Sequence, residues 1–124
     1  MKSYLVDVTV ATEYLPNQSE PGQKQFVFSY TITIKNNGAE PVQLLSRKWE
    51  ITDADGKTTE VIGEGVVGKQ PTIQPGKTFT YTSGTVLRTP IGHMQGSYGM
   101  VNPNGEHWDL DIPVFTLAKP NILH

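Results

Sequence analysis

The chain has 124 residues, room for one domain that buries roughly two-thirds of the surface its unfolded form exposes, so residues 1–124 are expected to share a single core. It contains no cysteine, which excludes disulfides, thiolate metal sites and a cysteine nucleophile, and makes the cytoplasm the expected location. Ten Lys and Arg stand against twelve Asp and Glu, and no apolar run reaches signal-peptide or membrane-spanning length, so neither nucleic acid nor a membrane is an expected partner.

Tyr4, Val6, Val8 and Val10 alternate with Asp7 and Thr9, and their β-branched content opposes a helix, which predicts a first strand. Residues 25–35 place Phe26, Phe28, Tyr30, Ile32 and Ile34 at every second position, the rhythm of a half-buried second strand. Asn36-Asn37-Gly38 tolerates positive φ and predicts a turn before Val42. The next inward set begins Val42, Leu44 and continues Leu45, Arg47, Trp49, Ile51. That change of parity predicts one extra residue, a bulge near Leu44-Leu45.

Asp53-Ala54-Asp55-Gly56 reads as a hairpin into a polar strand through Thr58, Glu60 and Ile62. Periodicity then disappears, and residues 63–76 are expected to form one long loop rich in glycine and proline. Thr78, Thr80 and Thr82 alternate with Phe79 and Tyr81; Met94, Tyr98 and Met100 alternate with Gln95 and Ser97. Asn102-Pro103-Asn104-Gly105 makes the following turn. Trp108, Leu110 and Ile112 then share a face until Pro113, which lacks an amide donor and so predicts a sheet edge or bulge, with Phe115 and Leu117 resuming on the other parity. No window carries a helical stripe and no repeat is present. Strands with one apolar face each predict an all-β, antiparallel two-layer sandwich of about seven to eight strands, with a closed barrel as the alternative.

Ser46-Arg47-Lys48-Trp49-Glu50-Ile51-Thr52-Asp53, Gly63-Glu64-Gly65-Val66-Val67-Gly68-Lys69-Gln70-Pro71, Leu87-Arg88-Thr89-Pro90 and Gly92-His93-Met94-Gln95-Gly96-Ser97-Tyr98-Gly99-Met100 together resemble the ApaG family, over nearly the whole chain. Trp108 stands where phenylalanine is common in that family. The resemblance implies an immunoglobulin/fibronectin type III-like sandwich. It also implies, by association, diadenosine tetraphosphate hydrolysis and magnesium and cobalt tolerance for bacterial members. Eukaryotic relatives occur in F-box proteins and a polymerase-interacting protein, so the shared theme it implies is protein binding.

Residues 63–68 spell the dinucleotide fingerprint, but Lys69-Gln70-Pro71 follows where a helix should start, and no βαβ unit surrounds it. Three readings of Gly63, Gly65, Gly68, Lys69 and Gln70 remain: a loop shaped by positive φ or close packing, a backbone nest for an anion such as pyrophosphate or a nucleotide, and a partner-binding loop. Arg47 shares parity with Trp49 and Ile51, so its guanidinium needs a buried acceptor or an aromatic face; a structural role is expected ahead of ligand binding. His93, His107 and His124 have no metal-ligand spacing, and Asp53 and Asp55 suit turn duty better than a calcium loop. Asp109 and Asp111 read as a solvated face, with a water-mediated Mg²⁺ contact as the minor alternative. Tyr98 is a candidate corner tyrosine bonding backbone. Ser83 and Ser97 lack triad spacing, so no catalytic residues, resident metal or cofactor are expected. The sequence-level expectation is a non-catalytic module with protein partners, the alternative being a sensor of polyphosphate nucleotides, pyrophosphate or divalent cations; its open edges make a homo-oligomer conceivable.

Overall fold

A computed structural model describes residues 5–121. Its eight described strands are β1 (Val6–Tyr14), β2 (Phe26–Asn36), β3 (Val42–Asp53), β4 (Thr58–Glu64), β5 (Thr72–Ile73), β6 (Thr78–Leu87), β7 (Ile91–Val101) and β8 (His107–Ala118). They form an all-β sandwich of two antiparallel sheets. The small sheet runs β1-β2-β6; the large one runs β4-β3-β7-β8, with β5 pairing β3 on the side that β4 occupies farther along. Among the described residues no helix is long and apolar enough to cross a membrane.

β2 shows why the layers close. Phe26, Phe28, Tyr30, Ile32 and Ile34 are all buried, while Val27, Ser29, Thr31 and Thr33 are half-buried on the other face. Tyr30 from β2 meets Trp49 from β3 edge-on at 5.4 Å between ring centroids and Phe115 from β8 at 6.0 Å, so aromatic quadrupoles as well as area join the sheets.

Both parity changes are bulges. Against β7, β3 pairs Leu44 with Met100 and Ser46 with Gly99, which makes Leu45 the extra residue; it is half-buried and stands outside the core cluster. Against β7, β8 pairs Ile112 with Gly96 and Phe115 with Met94, so Pro113 and Val114 together face Gln95 at the sheet edge.

Three expectations are corrected. The long loop is shorter than residues 63–76, because β4 extends through Glu64 and Thr72–Ile73 pairs with β3. Asn36-Asn37-Gly38 turns without positive φ. Asn36 is instead a buried clamp: its amide donates to the carbonyls of Glu40 (2.7 Å) and Ile73 (2.9 Å), and its side-chain oxygen accepts from the Gly38 amide. Tyr98 is no corner tyrosine, for its hydroxyl pairs with that of Tyr81 across the two sheets. The Asp53 turn behaves as read: Asp53 Oδ1 accepts from the amides of Asp55 (2.9 Å) and Lys57 (3.0 Å), and Gly56 sits at φ +82°. Asn102 repeats this arrangement with Asn104, Glu106 and Gly105.

Candidate functional site

On the edge of β3 away from β7, Leu44 and Leu45 fall between the segment that pairs with β5 and the segment that pairs with β4, and residues 65–71 supply their hydrogen bonds there. Leu45 O accepts from the Gly65 amide (2.7 Å) and from Gln70 Nε2 (2.9 Å), while Leu44 N donates to Pro71 O (3.0 Å). Gln43 Nε2 adds a bond to Gln70 O at 3.1 Å. The loop is thereby built into the sheet as a piece of its edge, which satisfies backbone groups that neither β4 nor β5 reaches.

Beyond this base the chain makes a two-residue hairpin. Val66 and Lys69 exchange both backbone hydrogen bonds, 2.8 Å and 2.9 Å, around Val67 at φ +43° and Gly68 at φ +79°. Positive φ at both central residues is the requirement of a type I′ turn, which normally takes Asn or Gly. Val67 is neither. A β-branched residue in the left-handed region crowds its Cβ against the backbone, at a cost of about 1–2 kcal/mol. Val66 is 1 % exposed and anchors the turn in the core, whereas Val67 is 54 % exposed at the tip. Strain and exposure therefore coincide at one apolar side chain.

Arg47 and Gly63 complete the support. They face each other across β3 and β4, and the guanidinium lies so flat over Gly63 that a Cβ there would come within 2.8 Å of it. Arg47 Nη1 donates to the carbonyls of Glu64 (3.0 Å) and Gly65 (2.8 Å). Gly65, at φ +63°, is held just as closely, since a Cβ would meet Lys69 O at 2.3 Å.

The five loop residues singled out in the sequence and Arg47 are thus brought together, with divided roles. Gly63 makes room for Arg47; Gly65 and Gly68 supply positive φ; Gln70 ties the loop to β3; Lys69 closes the hairpin and is exposed to solvent. The Gly65 amide is directed at Leu45 O and away from solvent. No helix begins at Lys69, so the fingerprint spacing has no dipole behind it.

Beneath this flank lies a polar pair that periodicity did not reveal. Tyr81 on β6 and Tyr98 on β7 are both buried and share a hydroxyl–hydroxyl hydrogen bond, with ring centroids 6.4 Å apart. Burial disfavours the phenolate, so the pKa of Tyr81 is pushed up to about 12 despite the stabilising bond from Tyr98; burial raises that of Tyr98 as well, with Tyr81 beside it adding to the effect. Val67 and the Tyr81–Tyr98 pair were not singled out as site features. Valine at a turn carries no motif, and the tyrosines meet only after the sheets stack.

Asp109 and Asp111 lie on the solvent face of β8 beside exposed His107, while His93 is half-buried and His124 lies outside the described residues. Among the described residues no group of three or more His, Cys, Asp or Glu is placed to hold a metal ion.

The ApaG domain family model (DUF525) matches residues 16–102, which span the whole candidate site. The chain is 59% identical over 119 residues to Protein ApaG of Pseudomonas aeruginosa (strain LESB58), covering 96% of this chain and 94% of that one. It is 54% identical over 123 residues to Protein ApaG of Thiobacillus denitrificans, covering 99% and 97%. Among solved structures, an X-ray structure of a structural-genomics target shares 52% identity with a TM-score of 0.95, covering 100% of this chain and 94% of that one. A Bordetella pertussis protein shares 49% with a TM-score of 0.91, covering 94% of each. On full-length sequence identity and on fold alike, the chain belongs to the ApaG family.

Proposed function

We propose that this domain is a protein-interaction module with no chemistry of its own, working in the cytoplasm, and that the 63–71 loop is its recognition element. The observation that carries this reading is Val67: an exposed apolar side chain, held in a strained backbone conformation on a base fixed by Leu45, Arg47 and Gln70. Strain of this kind persists where the surroundings over-determine it, and it concentrates at ligand clamps and recognition sites. A pre-organised apolar tip also loses little entropy on docking, which favours binding to a preformed pocket on another protein.

The test compares wild-type protein with Val67→Asn, which suits the turn better and so keeps the fold. Quantitative affinity capture from cell lysate, followed by titration calorimetry with each purified candidate, should return a partner bound at least about tenfold more weakly by the variant, the loss of one good anchor contact. Equal retention of every captured protein by both forms would remove the loop from the proposal. The exposed ammonium of Lys69 beside the turn gives a second reading some support, an anion binder for pyrophosphate or a polyphosphate nucleotide, alone or with Mg²⁺. NMR titration with pyrophosphate, then with Mg²⁺, separates the two: shifts at Gly63, Gly65 and Gly68 favour the anion binder, and unmoved amides favour the module.

A further inference from the structure

Five described strands lie at sheet edges; β5 has only two residues, too short to template pairing, and three of the other four carry devices that block pairing with another chain. β1 contains Asp7 and Glu13, β4 contains Glu60 and Glu64, and β8 has Asp109, Asp111 and the Pro113 bulge. β6 has none. Its ten residues, TFTYTSGTVL, include no charge and no proline, and it pairs with β2 from Thr78 to Leu87 without a register shift. An uncharged, unbulged edge of this length is a ready template for main-chain pairing.

β6 also borders a groove. Its end approaches β4 on the open flank of the sandwich, where Ile51, Val61 and Leu87 help to line a cleft of about 270 Å³. Lys57 and Arg88 stand on the same cleft. Asp53 lines it too, with Oδ1 accepting the amides of Asp55 and Lys57, so the cleft sets two cationic side chains against one carboxylate. At the other end, Lys77 immediately precedes the strand. Lys77 and Arg88 are both exposed, and among the described residues neither forms an ion pair with an acidic group.

The cations select between occupants. A second copy of this chain, pairing antiparallel about the strand centre, would set Thr78 opposite Leu87 and therefore Lys77 opposite Arg88 at both ends. Like charges directly opposed destabilise a pair. A strand with acidic ends meets the reverse situation.

We infer that the free edge of β6 is a β-augmentation site for an extended, acid-flanked peptide segment of another protein, whose carboxylates meet Lys77 at one end and Arg88 with Lys57 at the other. This deepens the interaction-module reading and rests on it, naming the edge and the partner's chemistry.

The experiment uses the full chain labelled with ¹⁵N and two capped peptides of about twelve residues, long enough to span the edge. Both alternate Thr and Val; one carries Glu at its ends, its twin carries Lys. The Glu peptide should shift amide resonances of residues 78–87 and bind at least about tenfold more tightly than the Lys peptide. The double variant Lys77→Glu/Arg88→Glu, confined to exposed side chains, should reverse that order. Absence of β6 shifts with either peptide overturns the inference, as does a preference that ignores the charge reversal. Sedimentation showing a wild-type dimer that the double variant leaves intact while β6 amides are protected would assign the edge to a second copy instead, and also overturns it. Shifts limited to residues 66–70 would sink the β6 site while supporting the module reading, whereas a β6 response together with unaltered capture by Val67→Asn supports the edge and removes the loop.

Discussion

The 63–71 loop and strand β7 are both glycine-bearing, and they use the residue for opposite ends. In the loop, Gly65 and Gly68 carry positive φ so that the chain can reverse, and Gly63 leaves space for a mobile side-chain end, the Arg47 guanidinium. In β7 the backbone is ordinary extended strand, and glycine serves close approach: a Cβ at Gly96 would stand 2.0 Å from Lys48 O, and one at Gly92 would stand 2.5 Å from Thr52 O. The loop's glycines therefore shape a surface, while those of β7 set how tightly β3 and β7 pack. What matters for a substitution is whether the atom it meets can move.

This contrast orders the expected effects. Gly96→Ala drives a methyl into a backbone carbonyl in the middle of the large sheet, and denaturant unfolding should show a loss of about 3 kcal/mol. A loss below about 1 kcal/mol would mean that β3 and β7 can separate locally, removing the distinction. Gly65→Ala combines positive φ with a backbone contact to Lys69 O, so about 2 kcal/mol is expected from the same measurement.

The tyrosine pair extends the β7 side of the comparison. Tyr98→Phe leaves the buried Tyr81 hydroxyl without its partner and should cost about 1–2 kcal/mol, less than proportionally repeated when Tyr81→Phe is added. The pH dependence has a definite sign. Both phenols are harder to ionise in the folded chain, so their contribution is complete below the unfolded value of 10.0 and declines as pH rises towards about 12. Melting temperature should fall over that window, and ultraviolet difference titration against a Tyr81→Phe/Tyr98→Phe variant should show these two phenols ionising above 10.0 or only on unfolding.

Gly63→Ala meets the far end of a flexible side chain, so Arg47 can withdraw and give up its two carbonyl bonds, a loss of about 1 kcal/mol. In an Arg47→Ala background the same change should cost almost nothing, a double-mutant cycle that isolates their contact. Val67→Asn is expected to stabilise by about 1 kcal/mol, because asparagine tolerates the left-handed region that valine resists.

How far each feature could be read in advance follows from where its cause lies. The β2 strand and the two bulges were legible because parity is a local property: Leu44-Leu45 and Pro113 mark their own irregularities. The absence of a helix after Lys69 was legible from Pro71. Asn36 was not, since a buried clamp and an exposed turn residue share the same Asn-Asn-Gly text and differ only in what Ile73 brings alongside. Gly63 was marked as important, but its reason sits on the neighbouring strand, in Arg47. The Tyr81–Tyr98 pair depends on stacking two sheets and has no trace in either strand alone. Within the candidate site the residues could be found by their glycine spacing, while their roles needed cross-strand geometry.

Native-state amide hydrogen exchange at Gly65 and Lys69 reaches the core of the account, that residues 65–71 are a fixed part of the sheet edge. Protection close to that of the β3–β4 ladder is predicted, because both amides donate to backbone oxygens within the edge. Exchange at the rate of an unstructured peptide would contradict it, for a loop that open could not hold Val67 in place.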